Sequence, residues 1–128
     1  MEKIAKIRFE RRGDDLVGIF PADVLRQLIG REFVLSIGVS ESLVIHTPQR
    51  WQEILDRIDR LPLRQQQMLH PLLVYSERIT ARSDGSWTLP RSLADVARIE
   101  CEAWLCIPEP ADYSALEQES LILTVHCP

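Results

Sequence analysis

The organising stretch of this sequence is Ile19-Phe20-Pro21-Ala22-Asp23-Val24-Leu25-Arg26-Gln27-Leu28-Ile29-Gly30, in which an apolar residue and a proline precede a short helical pattern. A degenerate second copy is Thr88-Leu89-Pro90-Arg91-Ser92-Leu93-Ala94-Asp95-Val96-Ala97-Arg98-Ile99. Proline is tolerated at a first helical position because its missing amide hydrogen would have no helical partner there. Each stretch therefore predicts a corner at which a strand ends and a short helix begins. The prolines lie 69 positions apart, which indicates two versions of one unit.

The resemblance between the two units extends beyond the corners. Segments 4–10 and 78–82 alternate apolar and charged residues before each corner, and apolar segments follow at 33–37 and 103–107. Each unit then ends with a similar five-residue sequence, at 44–48 and 124–128. We predict one domain over 1–128. It has a first repeat at 4–48, connecting helices at 49–73 and a second repeat at 74–128 that contains an insert at 108–120.

The segment between the repeats has a helical pattern. Thr47 can cap and Pro48 can open a helix whose apolar positions recur at helical spacing from Trp51 to Leu61. Pro62 ends this helix, and 63–70 predicts a second short one. Pro71 lies too late to open that second helix, so it is expected to kink it or to begin a separate turn. In the insert, we predict a loop with a short helix that begins at Asp112.

Composition indicates an ordinary globular domain. The 128 residues are 45% hydrophobic and 27% charged, and the chain is long enough to bury a core. No apolar run approaches the roughly 20 residues needed to span a bilayer, and the N-terminus lacks the apolar core of a signal peptide. We therefore expect a cytoplasmic protein without a membrane partner.

No catalytic or cofactor motif is recognisable. The sequence lacks Gly-x-x-x-x-Gly-Lys-Ser/Thr, His-Glu-x-x-His and Gly-x-Ser-x-Gly. We expect neither an enzyme nor a cofactor or small-molecule substrate. The spacing of Cys101, Cys106, His126 and Cys127 is poor for zinc, and reduced thiols are the favoured interpretation, so no metal site is predicted.

Two histidines and two tryptophans have competing interpretations. His46 and His126 occupy matching places in the five-residue sequences that end the units, where a metal or proton-switch role competes with the favoured role of hydrogen-bonded strand-end histidines. Trp87 is expected in the core or at an interface, and Trp51 is expected to anchor a helix on the strands.

The pattern resembles the MraZ family of bacterial transcriptional regulators, which have the AbrB/SpoVT-like swapped-hairpin fold. That family has two tandem copies of a strand, an Asp-x-x-Gly-Arg turn, a strand end with Leu-Pro and a short helix. Segments 43–62 and 83–97 carry the resemblance, which covers nearly the whole chain. It implies an α+β fold: a small β-barrel of two pseudo-symmetric halves, with a short helix after each corner and a helical pair between the halves.

The resemblance also implies a function. Members bind duplex DNA as ring-like homo-oligomers, so we expect a regulator in which several weak basic faces act together and associate with the nucleoid. Only Gly85 of the two family turns is retained, since the turn arginines are replaced by Val17 and Ser86. This loss and the net charge of −4 favour an alternative, a diverged member that serves as an oligomeric protein-interaction scaffold without binding DNA.

Basic residues are the candidates for DNA contact. All 15 Lys and Arg fall in residues 1–98. Residues 99–128 carry 6 acidic residues and no Lys or Arg. If the repeats pack about a pseudo-twofold axis, seven of these residues form one basic strip. They are Lys6, Arg8, Arg11, Arg12, Arg78, Arg82 and Arg91. The alternative is a solvated strand face that nearby carboxylates balance.

Overall fold

The computed structural model describes residues 2–26, 30–38, 41–108 and 120–125, and within these ranges the α+β class is confirmed. The first half contains β1 (Glu2–Arg12), β2 (Asp15–Ile19), α1 (Ala22–Val24), β3 (Glu32–Ile37) and β4 (Ser42–His46). The link contains α2 (Pro48–Asp59), α3 (Leu63–Met68) and α4 (His70–Val74). The second half contains β5 (Glu77–Thr80), β6 (Ser86–Leu89), α5 (Arg91–Ala97), β7 (Glu102–Ile107) and β8 (Leu121–Thr124).

The eight strands form one antiparallel sheet in the order β5-β3-β4-β8-β7-β1-β2-β6. The two end strands, β5 and β6, are joined by a tight turn and contact one another. The sheet is therefore a nearly closed barrel, as the sequence predicts. Closure leaves few unpaired backbone groups at strand edges, which protects against pairing with other chains.

Read around the barrel, the strand order is unchanged when the two halves are exchanged, although the β1–β2 ladder then maps onto β5 and β6, which contact one another without a ladder. Replacing β1 to β4 by β5 to β8 maps the β1–β7 ladder onto β3–β5 and the β3–β4 ladder onto β7–β8. The β2–β6 and β4–β8 ladders each map onto themselves. Gly18 pairs with Trp87, and these residues are separated by the same 69 positions as the two prolines. Exchanging the two halves therefore puts Gly18 in the place of Trp87 and Trp87 in the place of Gly18, so this pair is its own counterpart.

Aromatic rings fill the centre of the barrel. Trp87 is fully buried, and its ring lies 5.7 Å from Phe9, 4.9 Å from Phe20 and 5.3 Å from Phe33, measured between centroids. Burial of each large apolar side chain contributes about 1.5–3 kcal/mol relative to exposure. The prediction that Trp87 belongs to the core is confirmed.

Helix α2 covers one side of the barrel. It starts as predicted, because the Thr47 hydroxyl accepts a hydrogen bond from the Arg50 amide at 3.2 Å and Pro48 is the first helical residue. Its inner side buries Trp51, Ile54 and Ile58 against Val34 of β3. Trp51 is therefore the anchor that its sequence position indicates.

Two of three proline positions differ from the predictions. Pro21 and Pro90 have ψ of 142° and 143°, so each is the extended residue that precedes its helix and not the first helical residue. Pro71 lies in the first turn of α4, where its missing amide is tolerated. It therefore belongs to a separate helix, which agrees with the expectation of a separate turn and not with that of a kink.

Other predictions fall at or beyond the edges of the described structure. The last strand begins at Leu121, two residues before the predicted segment. Residues 27–29, most of the insert with its helix at Asp112, and residues 126–128 lie outside the described ranges. Among the described helices, none combines the length and the apolar character that a membrane span requires.

Candidate nucleic-acid interface

The barrel has one covered and one bare outer surface. On β3, β4, β8 and β7 most outward side chains are buried, including Val34, Val44 and Ile122. On β1, β2, β6 and β5 the outward side chains are largely accessible, and Ile19 at the end of β2 is 56% exposed. A binding partner of the folded barrel therefore has access to the outer surface of β1, β2, β6 and β5.

Four arginines border this bare surface. Alternation along β1 directs Ile7 and Phe9 into the core, so Arg8 and Arg12 point outward. On the segment that begins with β5, Ile79 and Ala81 are buried, so Arg78 and Arg82 point outward. We call the outer surface of β1, β2, β6 and β5 with Arg8, Arg12, Arg78 and Arg82 the arginine face. Three strand spacings of about 4.8 Å separate its two margins, which gives about 14 Å along the sheet.

The charges of the arginine face are lightly compensated. Arg12 lies 3.7 Å from Glu10, and both side chains are mostly exposed, so this pair is weak. Arg82 donates hydrogen bonds to the hydroxyls of Ser86 at 3.3 Å and Thr88 at 2.8 Å, which hold its guanidinium over the surface. Arg8 and Arg78 form no ion pair with any described residue.

The other three predicted DNA-binding residues are paired or placed differently. Lys6 points outward from β1, as Arg8 does, but its charge is compensated. Lys6 pairs with Glu102 at 3.0 Å and approaches the Trp104 ring, at the margin shared with β7. Arg91 begins α5 and lies 3.4 Å from an Asp14 carboxylate oxygen and 3.7 Å from one of Asp95. Arg11 is exposed at the end of β1, where alternation places it on the opposite side of the strand from Arg12.

Each hairpin turn lies against the corner of the other half. The Asp15 carboxylate accepts a hydrogen bond from the Arg91 amide at 3.3 Å, beside the second corner. Gly85, with φ of +85°, lies so close to the first corner that an added Cβ would be 3.3 Å from Leu25 Cδ1 and 3.6 Å from the Phe20 carbonyl oxygen. The turns and corners thus cross between the halves.

Asp84 organises the second turn. Its carboxylate accepts hydrogen bonds from the Ser86 hydroxyl at 2.6 Å and the Ser86 amide at 2.9 Å. These bonds lower the pKa of Asp84, and the charge of Arg82 lowers it further. The carboxylate is directed into its own turn, which leaves Arg82 free to face the surface.

Arg26 and Arg31 are cationic groups that sequence reasoning did not select. Together with Arg82 they line a groove of about 510 Å³ between the turn at 82–85 and the first corner at 19–26. We call this the corner groove. No motif marks these arginines, because they are distant in sequence and meet only through the crossing of turn and corner.

His46 is a structural residue on the covered side of the barrel. It is 1% exposed, its Nε2 lies 2.8 Å from the Ser36 hydroxyl and its Nδ1 lies 2.8 Å from the Ser120 hydroxyl. Burial and, to a smaller extent, the charge of Arg50 lower its pKa to about 4. A neutral imidazole has one donor and one acceptor, and the two hydroxyls can satisfy both. The prediction of a hydrogen-bonded strand-end histidine is confirmed for His46, and His126 lies outside the described residues.

The cysteines do not form a described metal cluster. Cys101 is exposed, whereas Cys106 is buried beside Val44 and Ile122. Cys127 lies outside the described residues, and within the described part no group of three or more His, Cys, Asp or Glu side chains is arranged for a metal ion.

Comparison with known proteins gives no assignment. No protein-family model matches the sequence, and a search of curated proteins returns no significant match.

Proposed function

We propose that this chain is an MraZ-like regulator that binds duplex DNA through the arginine face and acts as a homo-oligomer. The observation that carries the proposal is the position of Arg8, Arg12, Arg78 and Arg82 on the accessible side of a barrel whose other side is covered. Guanidinium groups bind phosphate through two parallel hydrogen bonds, and phosphate contacts supply most non-specific DNA affinity.

The spacing of the arginine face supports a duplex as the ligand. Its two rows of arginine lie about 14 Å apart along the sheet. The major groove of B-DNA is about 12 Å wide, so the two rows have a separation suited to the phosphate backbones on either side of one groove. Ile19 lies between the rows and has no charge that would repel the bases.

The fold supports the same class of protein. The strand order survives exchange of the halves, and each turn lies against the corner of the other half. We infer from these relationships that the halves are duplicated swapped hairpins of the AbrB/SpoVT-like kind. A twofold protein surface suits DNA sites with matching twofold symmetry. By resemblance, several copies would assemble into a ring and bind repeated sites with avidity.

The test is a titration of a fluorescent 30-base-pair duplex at several salt concentrations, starting at about 50 mM. Binding is measured by fluorescence anisotropy for the wild-type protein and for the double variant Arg8→Ala/Arg78→Ala. Each lost phosphate contact reduces the magnitude of the slope of log K against log salt by about 0.9. The slope of the double variant is therefore expected to be smaller in magnitude than that of the wild type by up to about 1.8. Mass measurement in solution, on the same samples, gives the oligomeric state.

The matched control is Arg57→Ala/Arg64→Ala, which removes two exposed arginines from α2 and α3. It has the same net charge as the double variant but an intact arginine face. Absence of binding at about 50 mM salt contradicts the DNA-binding function. Equal weakening in both double variants shows that total charge, and not this face, determines binding.

A second candidate function is an oligomeric protein-interaction scaffold. Four large apolar side chains, Leu63, Met68, Val74 and Tyr75, are 70%, 75%, 59% and 43% exposed on or beside α3 and α4. They fall within thirteen consecutive residues, and exposed apolar patches of this kind are typical of protein interfaces. The two functions are compatible if α3 and α4 join subunits and the arginine face remains free.

A further inference from the structure

The corner groove combines arginines with an apolar wall. Arg26, Arg31 and Arg82 line it together with Ile19 and Leu25, and its volume is about 510 Å³. Pockets for small ligands range over about 300–1,000 Å³, so the groove has room for a nucleotide-sized molecule.

Hydrogen-bond donors remain available on all three arginines. A guanidinium has five N–H donors. Arg26 donates one to Asp23 at 2.9 Å, and Arg31 donates one to the Ala81 carbonyl at 3.3 Å. Arg82 uses two in its bonds to Ser86 and Thr88. The remaining donors have no hydrogen-bonding partner among the described residues.

The carboxylates near the groove do not cancel its positive charge. Asp23 accompanies Arg26, and Asp84 accepts the Ser86 hydrogen bonds within its own turn. Among the described residues that line the groove, Asp84 is the one carboxylate beside three guanidinium groups. An anion that entered the groove would therefore meet a net positive charge.

The second corner differs from the first in this respect. There Arg91 lies close to carboxylate oxygens of both Asp14 and Asp95, at 3.4 Å and 3.7 Å. The Asp15 carboxylate also lies there, since it accepts the hydrogen bond of the Arg91 amide. Three acids therefore accompany Arg91, and its positive charge is compensated. The excess of arginines over carboxylates at the first corner is therefore not needed for packing a turn against a corner, because the second corner packs in the same way without it.

We propose that the corner groove binds a small molecule that carries a phosphate monoester. The phosphate would be held by Arg31 and Arg82 through bidentate hydrogen bonds, with Arg26 at the rim, and the organic part would lie on Ile19 and Leu25. The groove shares Ile19 and Arg82 with the arginine face. The proposal nevertheless does not require DNA binding, because Arg31 and Arg26 lie outside that face and the ligand is a small molecule.

The test is calorimetric titration of the full chain with adenosine 5′-monophosphate, without DNA. Inorganic phosphate and adenosine are titrated separately to distinguish recognition of the phosphate from recognition of the organic part. The variants are Arg31→Gln and the mostly exposed Arg26→Gln, with Arg64→Gln on α3 as the charge-matched control. Thermal unfolding of every variant checks the fold.

We expect saturable binding of the monophosphate with a Kd at or below about 1 mM, weakened about tenfold or more in Arg31→Gln and unchanged in Arg64→Gln. Arg26→Gln, in which the barrel core is untouched, is expected to weaken binding by a smaller factor and provides a readout if Arg31→Gln unfolds. Binding of adenosine as tightly as its monophosphate would overturn the proposal. So would the absence of saturation by about 10 mM, or equal weakening in Arg64→Gln.

Discussion

Gly18 lies directly opposite Trp87 across the β2–β6 ladder, and the Phe9 ring occupies the space that a side chain at position 18 would need. A Cβ at Gly18 would lie 2.6 Å and 2.8 Å from two carbons of that ring. The same ring packs edge-on against Trp87, with centroids 5.7 Å apart. The glycine is therefore part of the aromatic core, because its missing side chain allows Phe9 and Trp87 to meet.

Replacement of Gly18 by alanine is expected to destabilise the fold by about 1–3 kcal/mol, the usual cost of overpacking a well-filled core. Urea unfolding followed by far-ultraviolet circular dichroism measures this loss. In the double variant Gly18→Ala/Phe9→Leu, the smaller side chain relieves the clash. The decrease in the free energy of unfolding of this double variant should therefore be smaller than the sum of the decreases in the two single variants. A Gly18→Ala protein within about 0.5 kcal/mol of wild type contradicts this account of the core.

Acid is expected to destabilise the protein through His46. Its pKa is about 4 in the folded state and 6.5 in the unfolded state, so protonation favours unfolding. The stability contributed by the neutral imidazole is fully present above pH 6.5 and is lost as the pH falls from 6.5 towards 4. A difference of this size corresponds to a total on the order of 3 kcal/mol. Urea unfolding at a series of pH values across this window measures the loss.

A pair of histidine variants isolates the residue that is responsible. His46→Gln removes the group with the lowered pKa, so its stability should vary less with pH across the same window, although the protein is less stable at neutral pH. His70→Gln changes an exposed histidine of α4 and should retain the wild-type pH dependence. If the curves of His46→Gln and wild type run parallel, the acid sensitivity has another origin.

The division into two equivalent halves could be predicted from the sequence because the repeat marks equivalent elements, whereas the barrel was implied by the family resemblance. The two proline corners and the flanking alternation at 4–10 and 78–82 specify equivalent strands in both halves. Trp51 and Thr47 were also predictable, since helical spacing and capping are local properties. The helix at Pro71 was not, because a proline after an apolar helical run is compatible with a kink, a turn or a new helix start.

The candidate sites were harder to predict, since side-chain partners depend on register. Alternation alone places Arg8 and Arg12 on one side of β1, and this much the sequence indicates. Nothing in the sequence shows that Arg91 meets Asp14, because this contact depends on the crossing of turn and corner. The same crossing brings Arg31 to Arg82, and neither residue is part of a local motif.

Neutralised arginines should contribute less to DNA binding than free ones. Arg91 is held by Asp14 and Asp95, whereas Arg8 has no ion-pair partner among the described residues. If the arginine face binds duplex DNA, Arg8→Ala should weaken binding severalfold and reduce the salt slope by about 0.9. Arg91→Ala, with the same change in net charge, should leave the slope nearly unchanged. Anisotropy titrations of the two variants at matched salt decide this, and an equal effect would show that the ion pairs of Arg91 open on binding.

Two exposed apolar side chains on α3 are expected to hold subunits together. Leu63 and Met68 are 70% and 75% exposed, so the isolated fold gains little from them. Leu63→Lys/Met68→Lys should therefore change the free energy of unfolding of one subunit by no more than about 0.5 kcal/mol at each site. If the chain forms the proposed homo-oligomer through α3, the same change should convert it to monomers, because burying two ammonium groups at an interface is costly. Light scattering coupled to size-exclusion chromatography measures the mass of each form.

The control for this prediction lies on the same helix. Gln65→Lys/Gln67→Lys adds two charges to α3 at exposed positions and leaves Leu63 and Met68 in place. If the apolar side chains form the contact, this control keeps the mass of the wild type. Dissociation of both double variants would mean that charge alone separates the subunits. An unchanged mass in both would place the subunit contact elsewhere and leave the apolar surface of α3 available to a different protein.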